Sequence, residues 1–473
     1  MLTYAYKYFI KPDWFNMHVS FIVENNVSML QYLDVNNTKE GITVTSSNAM
    51  LNNVSSSFSL ANGIVIKLDN NRMSTAETVF YELEASNNEK AGIFLDSVGL
   101  PSNKIFFRVN KCVVYRNKER GLDVRANASV RFTECLIQEN KHTGVYVYQV
   151  NGGKIKLISS TILQNFKYAI CGYYTDEIVL ESCSFANHHH RFYAKYSYQI
   201  KPYIVLLSGY RSKFEITIAN NTFNNNIADG IEVILNWNSS ENFSIHLENN
   251  TFTGGNKTLR IVDNHDYYYD TVNMAYITVK NNIFINNTNT DGQLFECEIS
   301  KVGSVSFENN IFEGNMAKQI ILISGRTGRS FGDILIHSNQ FLFDWATDSI
   351  VDVQNYHTIT LTNNIFKNAD VGACCLKAPS FHNVFSINAT HNYWGTNSAT
   401  EVVDRVCGFE KDMTKSFIYY IPFYIEEDLE FNQISQDGFN VSGALGGLII
   451  NDSTITDVMV AASLLISRSL FVR

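Results

Sequence analysis

Glycoside hydrolysis needs an acid and a base flanking the scissile bond, and one string in this chain offers half of that pair. Asn289-Thr-Asp-Gly292 sets the carboxylate of Asp291 in a turn. The chain has no Asp-Asp pair and no Gly-His-Gly to supply the partner, and Arg260-Ile-Val precedes the string instead of following it. A calcium-dependent lyase would need clustered carboxylates, because Ca²⁺ takes about six to eight oxygens. Asp263, Asp266 and Asp270 form the densest cluster, interleaved with Tyr267 to Tyr269, and read as an exposed loop. His188 to His190 are ligand types for zinc or copper, but three consecutive side chains cannot all face one ion. They too read as a solvated loop. No catalytic residue, metal or cofactor is expected from these stretches.

Eight cysteines in 473 residues are too few for a disulfide-dense scaffold. Cys112 and Cys135 hold equivalent places in neighbouring repeats, which puts their Cα atoms about 5 Å apart, inside the disulfide range. A bond there and a pair of stacked buried thiols are both open. Cys374 or Cys375 joined to Cys407 would tie the last coil to the segment after it.

These residues are carried by a repeat. Val305-Ser-Phe-Glu-Asn-Asn-Ile-Phe312 has near copies at Ile216 to Phe223, Ile245 to Phe252, Ile277 to Phe284 and Ile359 to Phe366, and a looser one at Ile334 to Phe341. The second Asn of each marks 221, 250, 282, 310, 339 and 364, and the series closes at Asn392. A period in the twenties signals a solenoid. Apolar residues two apart precede the Asn pair, as on a strand with one buried face. Asn tolerates the left-handed conformation and so suits a sharp bend, after which the Phe returns to the interior. A second strand follows, opened by a Gly four residues after an Asn: Asn117 and Gly121, Asn140 and Gly144, Asn226 and Gly230. The Leu-x-x-Leu-x-Leu frame of a horseshoe is missing, and propeller blades are too long for this period. The expected fold is all-β, a right-handed parallel β-helix.

The markers count roughly thirteen or fourteen coils, a rod of about 65 Å at about 4.8 Å per coil. Cys112, Cys135, Ser160 and Cys183 take the marker place in earlier coils. On the second strands the outward residues Asp123 and Glu232 fall about four coils apart, near 19 Å, too far to share an ion. Residues 1–395 read as the β-helix, 396–425 as a cap with a short helix at Glu401-Val-Val-Asp-Arg, 426–440 as a linker and 441–473 as the truncated start of another module. The net charge of -9, with basic residues scattered, gives no stripe for a phosphate backbone, so nucleic acid is not an expected partner. Met1 to Pro12 lacks the form of a secretory signal, and the apolar run Val458 to Ile466 is too short to span a bilayer. Sequons are nonetheless frequent. Asn127, Asn238, Asn242 and Asn256 lie between strands and are the better glycan acceptors, whereas Asn220 and Asn249 arise from the repeat's Asn-Asn-Thr and are expected to be packed in a turn.

At Asn388-Ala-Thr-His-Asn-Tyr-Trp-Gly-Thr396, Glu401-Val-Val-Asp-Arg-Val406 and Ile421-Pro-Phe423 the chain resembles the bark beetle (anakonda) family of large animal membrane proteins at cell–cell contacts. Gly443-Ala-Leu-Gly-Gly-Leu-Ile-Ile450 resembles the start of that family's next β-helix module. The resemblance implies a β-helix ended by Asn392, Tyr393, Trp394 and Gly395, an extracellular junction role, protein partners and a membrane-anchored parent. Trp394 can plug the end of the core, with Gly395 turning the chain beneath it. A sugar-stacking role for Tyr393 and Trp394 is the other reading. The leading expectation is a non-enzymatic extracellular adhesion rod. A pectate lyase- or polygalacturonase-like enzyme and a glycan-binding adhesin using Tyr267 to Tyr269 are the alternatives.

Overall fold

Each repeat forms one coil, and the coil numbered from Val302 shows why. In the computed structural model the strand Val302–Glu308 buries Val305 and Phe307 and turns Ser306 and Glu308 outward. Asn309 adopts φ 54°, the left-handed bend that Asn tolerates, and swings the next residue, Asn310, into the core. The three-residue strand Ile311–Glu313 buries Phe312, and a second left-handed corner at Gly314 (φ 62°) turns Asn315 inward. Met316–Ser324 then forms the last strand of the coil.

The description covers residues 28–426 apart from 47–48, 68–75, 98–104, 127, 149–152, 174, 189–202, 210–213, 227–228, 236–241, 264–273, 300–301, 326–331, 355–357, 368–372, 380–385 and 409–410; outside that span it covers only short strands. The proposed linker (426–440) and further module (441–473) therefore fall almost wholly outside the described residues.

Within the two large sheets the strands pair in parallel with their counterparts one coil on, whereas Phe423–Tyr424, after the last coil, pairs antiparallel with Ile434–Ser435. The first two strands of each coil build a 27-stranded sheet, and the third builds a 15-stranded sheet. The register is continuous: Ile216, Ile245, Ile277, Val305, Ile334 and Ile359 are successive partners. Fifteen strands exceed the thirteen or fourteen coils that the markers count. Stacking runs past the final marker, where the helix Ala399–Arg405 leads into Val406–Cys407 and that strand joins the 15-stranded sheet beside Leu376 and Lys377.

Two kinds of side-chain column hold the coils in register. Phe185, Phe223, Phe252, Phe284, Phe312, Phe341, Phe366 and Trp394 stack with centroids 4.6 to 5.0 Å apart and planes within 10°. Beside them runs an amide ladder. From Asn221 to Asn364 each marker Asn donates its Nδ2 to the Oδ1 of the next, at 2.8 to 3.0 Å, ending on Asn392. A second Nδ2 bond goes to a backbone carbonyl of the preceding coil, as from Asn310 to Val279 at 2.8 Å. A buried amide is tolerated because it is satisfied in this way.

A second ladder runs along the other corner through Asn88, Asn117, Asn140 and Asn165, and again through Asn287, Asn315 and Asp344. His188 belongs to it. The ring is 2% exposed, its nitrogens lie 3.0 Å from the Ile162 carbonyl and 3.3 Å from that of Asn165, and its backbone N–H donates to Asn226 Oδ1 at 3.1 Å. The solvated-loop reading of His188 is thereby corrected: a left-handed residue, Asn187, precedes it and turns it inward. His189 and His190 lie outside the described residues.

At Gly255 this ladder loses its amide, leaving a small cavity of about 10 Å³ lined by Phe223, Asn226, Phe252, Gly255, Thr258 and Asn287. A Cβ on Gly255 would meet only Asn287 Oδ1 at 3.4 Å and the Asn226 carbonyl at 3.5 Å, ordinary contacts. Gly255→Asn is expected to stabilise the rod by about 1–2 kcal/mol, by closing the ladder and removing a flexible residue. A denaturant midpoint that does not rise would show that the gap is not a defect.

Candidate functional site

One register column of the 15-stranded sheet gathers charged residues. Asp123, Tyr146, Cys171, Leu206 and Glu232 are successive partners, so the two carboxylates are four coils apart, as the repeat arithmetic requires. The column continues through Arg260 and Glu296 and resumes at Asp352 and Lys377. Its charged residues occur in three clusters, each paired internally.

In the first, Asp123 is 3% exposed and accepts from Arg120 at 2.5 Å and from Arg125 at 3.2 Å. The Arg120 guanidinium lies 3.7 Å from the centre of the Tyr146 ring, a cation–π contact that orients it. Tyr168, Cys171, Tyr173 and Ile234 continue this patch outside the main core. In the second, Arg260 bridges Glu232 and Glu296, and the buried Lys257 also reaches Glu296. In the third, Lys377 lies 2.8 Å from Asp348 and 3.5 Å from Asp352, and the Gln319 amide donates to both carboxylates at 3.0 Å. Burial raises the pKa of Asp352, against the lowering influence of Gln354, Lys377 and Gln319.

This third cluster carries the best acid–base geometry among the described residues, and the sequence reading missed it. Asp352 and Lys377 are 25 residues apart, one coil, so aligning the second strands would have shown them as partners. The predicted Asp291 stands exposed at an irregularity in the strand Thr288–Glu298, with neither ion pair nor hydrogen bond among the described residues. Asp263 closes the strand Leu259–Asp263, while Asp266, Asp270 and Tyr267 to Tyr269 lie outside the described residues.

The chain end named by the tryptophan motif is a packed joint. Trp394 is fully buried, stacks on Phe366 at 4.9 Å, and shares the core with Val402, Val406, Tyr420 and Phe423. A sugar cannot reach it, which corrects the stacking alternative for this residue. Asn392 closes the ladder, Tyr393 bridges Ile365 and Tyr424, and Gly395 at φ 77° passes where a Cβ would lie 2.6 Å from the Phe366 carbonyl. Arg405 Nη1 donates to the Trp394 carbonyl at 2.7 Å.

Cys374 is bonded to Cys407, with Cα atoms 5.8 Å apart, so a covalent tie joins the last coil to the strand after the helix. Cys375 is a free buried thiol, as are Cys112 and Cys135. No bond joins Cys112 to Cys135, which fill ladder positions as thiols; that of Cys135 donates to the Val109 carbonyl at 3.7 Å. Of the candidate glycan acceptors, Asn242 and Asn256 are exposed, and Asn127 and Asn238 lie outside the described residues. The expectation for Asn220 and Asn249 is reversed. Both are exposed corner residues with φ 57° and 55°, and it is the following Asn221 and Asn250 that are packed in the ladder.

These features define a solenoid whose charged outward residues are paired within and between coils. The chain belongs to the right handed beta helix region family, whose model matches residues 16–154 and 149–341. No curated protein and no solved structure shows a significant match. Among the described residues no helix is long and apolar enough to cross a membrane.

Proposed function

We propose that the protein is a non-catalytic, extracellular adhesion rod that sets spacing and presents binding surfaces at cell–cell contacts, as part of a membrane-anchored parent. The observation that carries this reading is the internal pairing on the 15-stranded sheet. Asp123 is held by arginines of its own coil, and Glu232, Glu296, Asp348 and Asp352 each contact a cation of a neighbouring coil, so those four acids reinforce the stack. The stacked rings and amide ladders add the stiffness that a spacer needs. The likeness of residues 388–473 to the bark beetle family supports the junction setting.

An antibody raised against the rod and applied to unpermeabilised cells should label their contacts. Labelling only after permeabilisation would refute the extracellular reading. The Asp348–Asp352–Gln319–Lys377 cluster favours a second reading, a carbohydrate-active enzyme in which the partly exposed Asp348 meets the substrate and the buried Asp352 positions Lys377 and Gln319. That reading requires release of reducing or unsaturated sugars from an acidic polysaccharide, lost in Asp348→Asn and retained in Asp291→Asn.

A further inference from the structure

The three-residue strands after the first corner turn their Phe inward and the two flanking residues outward, so each coil adds two residues to one face. That face changes character along the rod. In two neighbouring coils it holds Thr222 and Asn224, then Thr251 and Thr253, with Asn225 and Gly254 at the corner beside them. In the next four the same columns hold Ile283 and Ile285, Ile311 and Glu313, Gln340 and Leu342, then Ile365 and Lys367. The apolar surface continues round the second corner. Phe343 takes the left-handed corner place that Gly314 takes one coil earlier, and it is 56% exposed. Trp345, 45% exposed, pairs with the half-buried Met316. Strand propensity explains an outward Ile, but not an exposed Phe at a left-handed corner with an exposed Trp beside it. An apolar patch grouped in this way marks a surface that another molecule covers.

We propose that this face is the contact by which two copies of the chain pair as antiparallel rods. A second copy fits because of how the charges on the face are placed. Glu313, Leu342 and Lys367 are successive partners in one column, so an acid and a base stand one coil either side of Leu342. Two strand spacings, about 10 Å, separate them. A twofold axis through Leu342, lying along its strand, brings two such faces together with the rods reversed. Leu342 then meets its own copy, each Glu313 meets the second copy's Lys367, and Ile311 meets the second copy's Ile365. Phe343 follows Leu342 and so meets its own copy beside the axis. Lys367 also lies 5.7 Å from the centre of the Phe343 ring, a contact that keeps it on this face. Parallel rods would oppose Glu313 to Glu313 and Lys367 to Lys367. A slip of one coil would set Glu313 against Leu342 and Lys367 against Ile285, desolvating both charges without a partner. A neutral glycan accounts for the exposed rings, but not for opposite charges placed symmetrically about Leu342. Four coils span about 19 Å, so the contact is small and the pairing weak and reversible. It needs neither functional reading above to be correct.

The test is sedimentation of the purified full chain over a concentration series reaching about 200 µM, the range in which a small contact associates. Monomer should pass to dimer as concentration rises. Phe343→Asp should weaken the association by about tenfold or more, and so should Glu313→Lys and Lys367→Glu taken singly. Lys141→Glu, an exposed charge reversal far from the face, should not. Combining Glu313→Lys with Lys367→Glu exchanges the pair and should return the association to within about threefold of wild type. That rescue separates the reversed register from the general stickiness of an apolar patch. A melting curve of each variant shows that it folds, and if Phe343→Asp does not, Phe343→Ser carries the same expectation. A chain that stays monomeric at every concentration overturns the proposal, whatever else covers the face. So does a double variant no better than the single ones, or an assembly that grows past the dimer, which a closed twofold contact forbids. None of these outcomes bears on where the rod sits in the cell, which antibody access decides.

Discussion

Replacing Trp394 by alanine is expected to destabilise the rod by about 3–5 kcal/mol, the range for a large aromatic removed from a core that cannot collapse around the cavity. The collapse is blocked from both sides. Phe366 is fixed in a stack of seven phenylalanines, and the Trp394 carbonyl holds Arg405 of the helix that follows. Losing the indole should loosen the helix Ala399–Arg405 and the strands Val406–Cys407 and Phe417–Tyr419 before the central coils, because repeats depend mainly on their neighbours. Urea unfolding with hydrogen exchange at those strands reads both effects. Trp394→Phe keeps the ring column and should cost clearly less. An alanine variant with an unchanged midpoint and unchanged exchange would remove Trp394 from its role as the joint.

Asp344→Asn is expected to stabilise the protein at neutral and higher pH and to flatten its pH dependence between about 4 and 7. Asp344 fills a ladder position that Asn315 and Asn287 fill in the two coils before it, accepting from the Asn315 N–H at 2.9 Å and Nδ2 at 2.8 Å. Burial raises its pKa to about 7; the Asn315 bonds lower it and the nearby Glu313 raises it further. A carboxyl whose pKa is higher folded than unfolded binds a proton more tightly in the native state. Its contribution is whole below the unfolded value, near 3.8, and is lost as pH rises through about 7. Three pH units correspond to about 4 kcal/mol, an order-of-magnitude figure for a group this deep. The amide has no such titration and satisfies the same donors. Chemical denaturation of both proteins at pH 5 and pH 8 should show wild type losing stability across that interval and the variant holding it. A wild-type profile as flat as the variant's would mean that Asp344 is ionised in the folded rod at both values.

The fold was legible because each feature that sets it repeats within one coil. The alternation around Val305 and Phe307, the left-handed Asn309, the inward Asn310 and Phe312 all occur within eight residues, so local chemistry determined the shape of a coil. The second ladder was half legible. Asn117, Asn140 and Asn226 announce it by the Gly four residues later; His188 and Asp344 lack that Gly, and only their place five residues after the markers Cys183 and Asn339 signals that they are buried.

Which coils' outward residues meet was decided by the tertiary structure. Glu313, Leu342 and Lys367 stand 29 and 25 residues apart, Asp352 and Lys377 25, and Lys257 and Glu296 39. Coil length varies along the chain, so no single fixed offset aligns one outward face with the next. The inward residues reveal their own alignment through apolar identity. The outward residues of a strand align with them, as Asp352 and Lys377 do beside Val351 and Leu376, but contacts that leave the column, such as Lys257 on Glu296, are set only by the tertiary structure. Composition and period therefore determined the rod and its core, while the pairing of Glu232, Glu296, Asp348 and Asp352 with cations of other coils exists only where strands from separate coils lie side by side.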